Sequence, residues 1–302
     1  MTRNTLADFK KTIISLYKEE GKVWLKGLPG LINQIEDTFK IEIQDPFPKL
    51  SINYTTPAKF IDGEEVVVKL GIPSNKEFKT EVEALKLFNG KGMVKLLEVD
   101  LEKGLMILEY LKPGTNIEKM DEEEAMSITT ALLKKFWIKA PERNIFPKVS
   151  DWGKGFKKYK NSKSTLLDKK LVDKAEKIFF ELEASQGEQF LLHGDFHHGN
   201  ILKAEREAYL TIDPKGVIGE REYEIGALLR NPYPQILEYP DIKVTIKNRI
   251  GFLSERLGLD PKRVYLWSFS QAVLATIWVV ENFGEGWDKW NTVAEILEEV
   301  KI

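Results

Sequence analysis

Asp195, Asn200 and Asp213 are the residues of this sequence whose types and spacing define a chemistry. They stand in the run His193-Gly194-Asp195-Phe196-His197-His198-Gly199-Asn200-Ile201-Leu202, followed by Thr211-Ile212-Asp213-Pro214. An Asp, an Asn five residues on, and an Asp at the end of the next apolar run is the spacing of a kinase catalytic loop. In phosphoryl transfer from ATP one carboxylate orients the acceptor hydroxyl and takes its proton, while hard oxygen ligands hold Mg²⁺ against the phosphates. The order of residues assigns Asp195 as the base, and Asn200 and Asp213 as the Mg²⁺ ligands. Phe190-Leu191-Leu192, Ile201-Leu202 and Leu210 to Ile212 flank these pieces, and such short apolar runs make buried strands that hold loops rigidly.

All three histidines of the chain, His193, His197 and His198, lie in the same segment. A zinc site is not the expectation, because adjacent His197 and His198 need not point to one centre and the chain has no Cys. His193 is expected to support the loop through backbone hydrogen bonds. His197 is open to two readings, one beside the acceptor or phosphate and one as packing.

The other half of a nucleotide site has to come from elsewhere. Glu64 to Leu70 reads as an apolar strand with Lys69 near its end, an exposed point charge that can project to the α- and β-phosphates. The helix that follows carries Glu77, Glu81 and Glu83, of which Glu81 lies with the inward face and is the expected partner of Lys69. Leu108-Glu109-Tyr110-Leu111 falls where a hinge strand offers backbone groups to adenine, which brings in Glu109 and Leu111.

Elements that position these groups follow from the periodicities. Leu6, Phe9, Ile13 and Leu16 predict a helix from near the N-terminus, capped at Gly21, and Pro29 opens a second helix to about Lys40. Short strands are expected over Lys49 to Tyr54, Ala58 to Ile61 and Glu64 to Leu70, with turns at Thr55-Thr56-Pro57 and Asp62-Gly63. A helix over Asn75 to Phe88 and strands over Val94 to Val99 and Leu105 to Tyr110 complete the first third. Composition shifts at Lys112-Pro113-Gly114. Beyond it the pattern is helical over Asp121 to Lys139, 165–185 and 241–300, interrupted by glycine-rich loops and strands over 190–230. The reading is α+β and two-lobed: residues 1–111 a β-rich nucleotide-binding lobe, residues 112–302 a helical lobe with the catalytic loop and acceptor site.

At 302 residues and 42% apolar composition the chain can bury a substantial core. Lys+Arg 45 against Asp+Glu 47 leaves no basic excess for a nucleic-acid partner. The patch Lys154, Lys157, Lys158, Lys160 and Lys163 reads as a solvated face. The absence of Cys points to a cytoplasmic protein. No membrane association is expected, because the N-terminal segment has charges throughout and the longest apolar run, around Ala272 to Val280, is short of a bilayer span.

The segment His193-Gly194-Asp195-x-His197-x-Gly199-Asn200 resembles the Brenner motif of the aminoglycoside phosphotransferase family. The run from Ile212-Asp213-Pro214-Lys215-Gly216 through Gly219-Glu220, Tyr223-Glu224 and Ala227-Leu228-Leu229-Arg230-Asn231-Pro232 is similar to its streptomycin 6-phosphotransferase and hydroxyurea phosphotransferase branch. Trp24-Leu25-x-x-Leu28-Pro29, Glu109-x-Leu111-x-Pro113-Gly114-Thr115 and Gln271-Ala272-Val273-Leu274-x-x-x-Trp278 extend the resemblance over nearly the whole chain. It implies a choline-kinase-like (protein-kinase-like) fold, ATP, Mg²⁺, and transfer to a hydroxyl of a small-molecule acceptor. It also implies that Glu224 braces the catalytic loop. Two positions depart from the branch: the turn expected between the first two strands, Asn53 to Ala58, has no glycine, and Arg221 stands where Pro is common. For the acceptor, Trp278 and Glu281 at a helix end combine an aromatic face with a carboxylate suited to a cationic molecule such as an aminoglycoside. The same stretch also reads as a capped helix end with Trp packed and acids in water. A sugar or metabolite kinase and an inactive nucleotide-binding scaffold are the alternative functions.

Overall fold

The computed structural model describes residues 6–142 and 145–302. The first residues of the amphipathic N-terminal segment, 1–5, lie outside that range. The chain divides into two compact units between Gly114 and Thr115, beside the expected composition shift.

Unit 1 is built on an antiparallel sheet in the order β1-β2-β3-β5-β4. Its strands are β1 (Ile41–Ile43), β2 (Tyr54–Phe60), β3 (Glu65–Leu70), β4 (Leu96–Asp100) and β5 (Leu105–Glu109). Between β3 and β4 runs α2 (Lys76–Phe88), started by the Asn75 side chain accepting from Glu77 N–H and stopped by Asn89 in a left-handed conformation. The helix α1 (Leu6–Phe39) precedes the sheet. Its buried Phe9, Ile13, Leu28 and Ile35 form one core with Tyr54, Val66, Val68, Leu70, Leu105 and Ile107 of the sheet.

Gly21 does not cap a helix: the break falls earlier, at Lys18 (φ 52°, ψ −122°), and the helix resumes through Gly21 and past Pro29, which opens no helix. Residues 49–53 form no strand, and the pairing partner the sequence reading missed is Ile41–Ile43. Thr55-Thr56-Pro57 is not a turn but the interior of β2, as two β-branched residues favour. Pro57 is tolerated because it lies one residue beyond the last β1 pair, Ile43 with Ala58, so its missing N–H removes no ladder bond. The tight turn is Asp62-Gly63, with Gly63 at φ 99°.

Unit 2 carries α3 (Glu122–Phe136), β6 (Ile138–Lys139), α4 (Val149–Asn161), α5 (Lys169–Ala184), β7 (Phe190–Leu192), β8 (Ile201–Lys203), β9 (Tyr209–Thr211) and β10 (Val217–Gly219). After them come α6 (Arg221–Leu229), α7 (Ile242–Leu257), α8 (Pro261–Phe283) and α9 (Asp288–Glu299). Asp121 caps α3, but α3 ends at Phe136 rather than Lys139, where the chain turns extended to pair β6 with β7. The centre of the unit is α8, which packs against α4, α5, α6, α7 and α9. Its 23 residues are long and apolar enough to cross a membrane, beyond what the shorter run noted in the sequence suggests. Of its most apolar window 67% is buried inside the protein, so this apolarity is that of a core helix. Trp267 of α8 meets Phe179 of α5 at 5.0 Å and Tyr223 of α6 at 5.1 Å, both edge to face.

Candidate active site

Strand alternation in β3 sends Val66, Val68 and Leu70 into the core shared with α1 and leaves Lys69 on the other face. There its Nζ lies 2.6 Å from Glu81 Oε1 of α2. The sequence reading makes Lys69 an exposed charge, whereas the structure leaves it 4% exposed and Glu81 6%. Desolvating both charges offsets much of their attraction, so the pair is a poor source of stability and a good way to hold an ammonium in place. At the end of β5, Glu109 exchanges with Lys95: its N–H donates to Lys95 O at 3.0 Å and its Oε2 accepts from Lys95 N–H at 3.1 Å. Leu111 beside it is buried. The connection between the first two strands is residues 44–53 rather than Asn53 to Ala58, and it too has no glycine.

The catalytic segment of unit 2 hangs between β7 and β8 and is tied to its surroundings at almost every residue. His193 Nδ1 accepts from Asp195 N–H at 3.2 Å, and its Nε2 lies 2.8 Å from Ile212 O. A carbonyl only accepts, so Nε2 carries the proton and the ring is neutral. Burial pushes its pKa down to about 4. Glu224, on α6, accepts from the backbone N–H groups of His193 at 2.6 Å and Gly194 at 2.9 Å. Burial pushes the Glu224 carboxyl up to about 7, against the lowering effect of those two bonds. Gly194 takes φ 82°, and a Cβ there would meet Trp152 at 2.8 Å, so only glycine lets the chain turn under that indole.

Asn200 Nδ2 donates to Asp195 O at 3.0 Å, which turns Oδ1 into the atom left to ligate. Asn200 O accepts from Ile212 N–H at 3.0 Å, binding the loop to the residue before Asp213. Asp213 itself has φ 60°. Among the described residues no three His, Cys, Asp or Glu side chains gather as a self-sufficient metal cage. Asn200 and Asp213 instead offer the few hard oxygens that suit Mg²⁺, which keeps waters and phosphate oxygens as its remaining ligands.

The Asp195 side chain remains 34% exposed. Its Oδ2 stands 3.8 Å from His197 Nε2 and its Oδ1 3.9 Å from Arg230 Nη2. His197 Nδ1 accepts from Gly199 N–H at 3.1 Å, which fixes Nε2 as the face toward Asp195. Burial would raise the Asp195 carboxyl; His197, Lys215, Arg230 and His193 together hold it below its ordinary value. It is an ionised carboxylate with an accessible edge, as a hydroxyl-orienting base requires.

Sequence reasoning missed Arg230 and Trp152. The signal for Arg230 was present, since one cation closes the apolar run Ala227-Leu228-Leu229 and its guanidinium is buried. Trp152 gave none, because its contact with Gly194 joins distant parts of the chain. Trp278, in the last turns of α8, meets Trp152 edge to face at 5.7 Å. Glu281 is already paired, its Oε2 lying 2.9 Å from Lys158 Nζ. Lys154 pairs with Asp151, and Lys160 with Asp173 and Glu176, so three members of the lysine patch have acidic neighbours.

A sheet carrying a buried Lys–Glu pair and a helical unit carrying the Asp-Asn-Asp loop define a kinase-like phosphotransferase with an α+β fold. Among solved structures, choline kinase LicA from Streptococcus pneumoniae superimposes with a TM-score of 0.65 at 15% identity, covering 90% of this chain and 99% of that one. A thermostable mutant of aminoglycoside phosphotransferase APH(4)-Ia, in ternary complex with ADP and hygromycin B, gives 0.58 at 13%, covering 89% and 96%. Streptomycin 6-kinase of Streptomyces glaucescens is 26% identical over 290 residues, covering 93% of this chain and 94% of that protein. Hydroxyurea phosphotransferase of Kitasatospora aureofaciens is 27% identical over 268 residues, covering 87% and 76%. The family model described as aminoglycoside/hydroxyurea antibiotic resistance kinase matches residues 54–283. The chain belongs to that family, and is a phosphotransferase acting on the hydroxyl of a small molecule.

Proposed function

We propose that this enzyme transfers the γ-phosphoryl group of ATP, with Mg²⁺, to a hydroxyl of an aminoglycoside such as streptomycin. The observation that carries the reading is the Asp195 carboxylate, ionised, accessible along one edge and held in a loop that also presents Asn200 and Asp213. Asp195 orients the acceptor hydroxyl and takes its proton as the phosphoryl group arrives. Lys69, held by Glu81, is assigned to the α- and β-phosphates, and the backbone of Glu109 and Leu111 to adenine. Asn200 Oδ1 and the Asp213 carboxylate are assigned to Mg²⁺, which when bound neutralises charge on the phosphate oxygens. His193 and Glu224 keep the loop backbone in place, and His197 faces the base. Trp278 is assigned as an aromatic wall toward the acceptor, relayed through Trp152. Glu281 is the weaker half of that assignment, since Lys158 already meets its charge. Residues 1–111 are assigned to the nucleotide and residues 112–302 to catalysis and the acceptor, in the cytoplasm.

A second reading is favoured by one observation. Arg230, Lys215 and His197 surround Asp195 with positive or neutral groups, and Glu281 is neutralised. A neutral sugar or other polyhydroxylated metabolite fits that balance of charge better than a polycation does. A phosphotransfer screen with ATP and Mg²⁺ decides between them, using streptomycin, other aminoglycosides, hydroxyurea and neutral sugars, with product mass as the readout. Streptomycin gaining one phosphate supports the first reading. Phosphorylation of neutral compounds alone overturns it in favour of the second.

A further inference from the structure

The Gln271 side chain of α8 reaches toward the catalytic loop through Arg230. Gln271 is 2% exposed in the interior of the unit, where an uncharged amide has to satisfy both its ends. Its Nε2 donates to Tyr223 O of α6 at 3.3 Å, and its Oε1 accepts from Arg230 Nη1. The opposite amide orientation would set an NH₂ against a guanidinium and an oxygen against a carbonyl, so the two partners fix which way Gln271 points. Arg230, 6% exposed, extends from that grip to place Nη2 3.9 Å from Asp195 Oδ1. Its Nε is buried without a hydrogen-bond partner, so the Gln271 amide is the neutral group that holds the guanidinium. Gly226 of α6, one turn before Arg230, makes the room: a Cβ there would overlap Gln271 Oε1 and come within 2.8 Å of Cδ.

Resting on the reading of Asp195 as the base, we propose that Gln271 is a positioning residue for phosphoryl transfer, which sets the Arg230 guanidinium beside Asp195 and so fixes the direction in which the carboxylate presents its free edge. Gly226 belongs to the same device, as the position that lets the amide pass between α6 and α8. The device uses charge economically. A glutamate in place of Gln271 would bind Arg230 more strongly and draw it from Asp195, whereas a neutral amide orients the cation without competing for it.

Two measurements test this. The first is a kinetic cycle with ATP and streptomycin on Gln271→Leu, Arg230→Met and the double variant, with Asp195→Asn as control. Gln271→Leu is expected to lower kcat about tenfold or more per folded molecule while leaving the KM for ATP within about twofold. The double variant should be no slower than Arg230→Met alone, because Gln271 acts through Arg230. Gln271→Glu should lower kcat as well, although it keeps the size and polarity of the side chain. Multiplying losses in the double variant, or wild-type kcat in Gln271→Leu, overturns the proposal. The second measurement needs no acceptor. In ¹⁵N-arginine-labelled protein, the Arg230 Nε–H resonance should move on Asp195→Asn and should lose that response in the Gln271→Leu background; an undiminished response overturns the proposal. Failure of the functional reading looks different: Asp195→Asn keeps the wild-type rate, or streptomycin is not phosphorylated, while the Arg230 resonance still answers to Gln271.

Discussion

Asp195 is held so that its chemistry and its foldedness can be separated. The backbone around it is fixed by Glu224, His193 and Asn200 rather than by its own carboxylate, which has His197 Nε2 at 3.8 Å and Arg230 Nη2 at 3.9 Å. Asp195→Asn should therefore leave the melting temperature within a few degrees and lower kcat by about two orders of magnitude or more, as loss of a general base does. Turnover and a thermal melt on the same preparation check both halves. His193 carries a pH prediction. Its pKa is about 4 in the folded protein against an ordinary 6.5, so the unfolded chain binds more protons between those values. The stability from keeping it neutral is present above pH 6.5 and is lost as pH falls toward 4. Glu224, raised from its ordinary 4.5 to about 7, acts in the opposite sense over the same range, so His193 is read by difference: between pH 7 and pH 5 in urea, His193→Asn should lose less stability than the wild type, while being less stable at pH 7.

At the scale of elements, Lys69 and Glu81 show how a strand and a helix share one task. The pair is buried, so removing one partner breaks the ion pair held by the other, which costs on the order of 3–5 kcal/mol. Lys69→Met should accordingly lower both kcat and the melting temperature, and Lys69→Met/Glu81→Leu should recover stability without recovering turnover. If the double variant regains turnover as well, Lys69 has no role in the reaction. This expectation differs from one drawn from the sequence alone, where Lys69 at the end of a strand reads as exposed. The order β3, helix, β4, β5 was legible because each carries its own period, and the caps Asn75, Asn89 and Asp121 are local signals. The start of the sheet was not. Ile41–Ile43 is too short to show alternation, and Thr55-Thr56-Pro57 carries a turn signal that pairing overrides. In the site, the loop residues were legible because they lie close together in the chain. Arg230, Trp152 and the amide of Gln271 act across long sequence separations, which no local pattern encodes.

At the scale of the whole molecule, the proposed nucleotide assignments can be tested through the stability of the folded chain. A ligand that binds only the folded chain stabilises it by RT ln(1 + [L]/Kd), about 2.7 kcal/mol at a hundredfold excess over Kd. Mg-ATP should therefore raise the melting temperature of the whole chain by several degrees, and a chelator should remove most of that shift if Asn200 and Asp213 reach the phosphates through the metal as proposed. Asp213→Ala should abolish the Mg²⁺-dependent part while retaining a smaller shift with ATP alone. Lys69→Met/Glu81→Leu, which removes both members of the ion pair, should reduce the shift with and without metal. The two substitutions thus have different signatures, although both weaken nucleotide binding. Calorimetric melts of the three proteins without ligand and with ATP, Mg-ATP and Mg-ATP plus chelator give the twelve values needed. An Asp213→Ala chain that gains as much from Mg-ATP as the wild type would remove Asp213 from the metal, and leave Asn200 without the partner that makes the loop a phosphotransfer site.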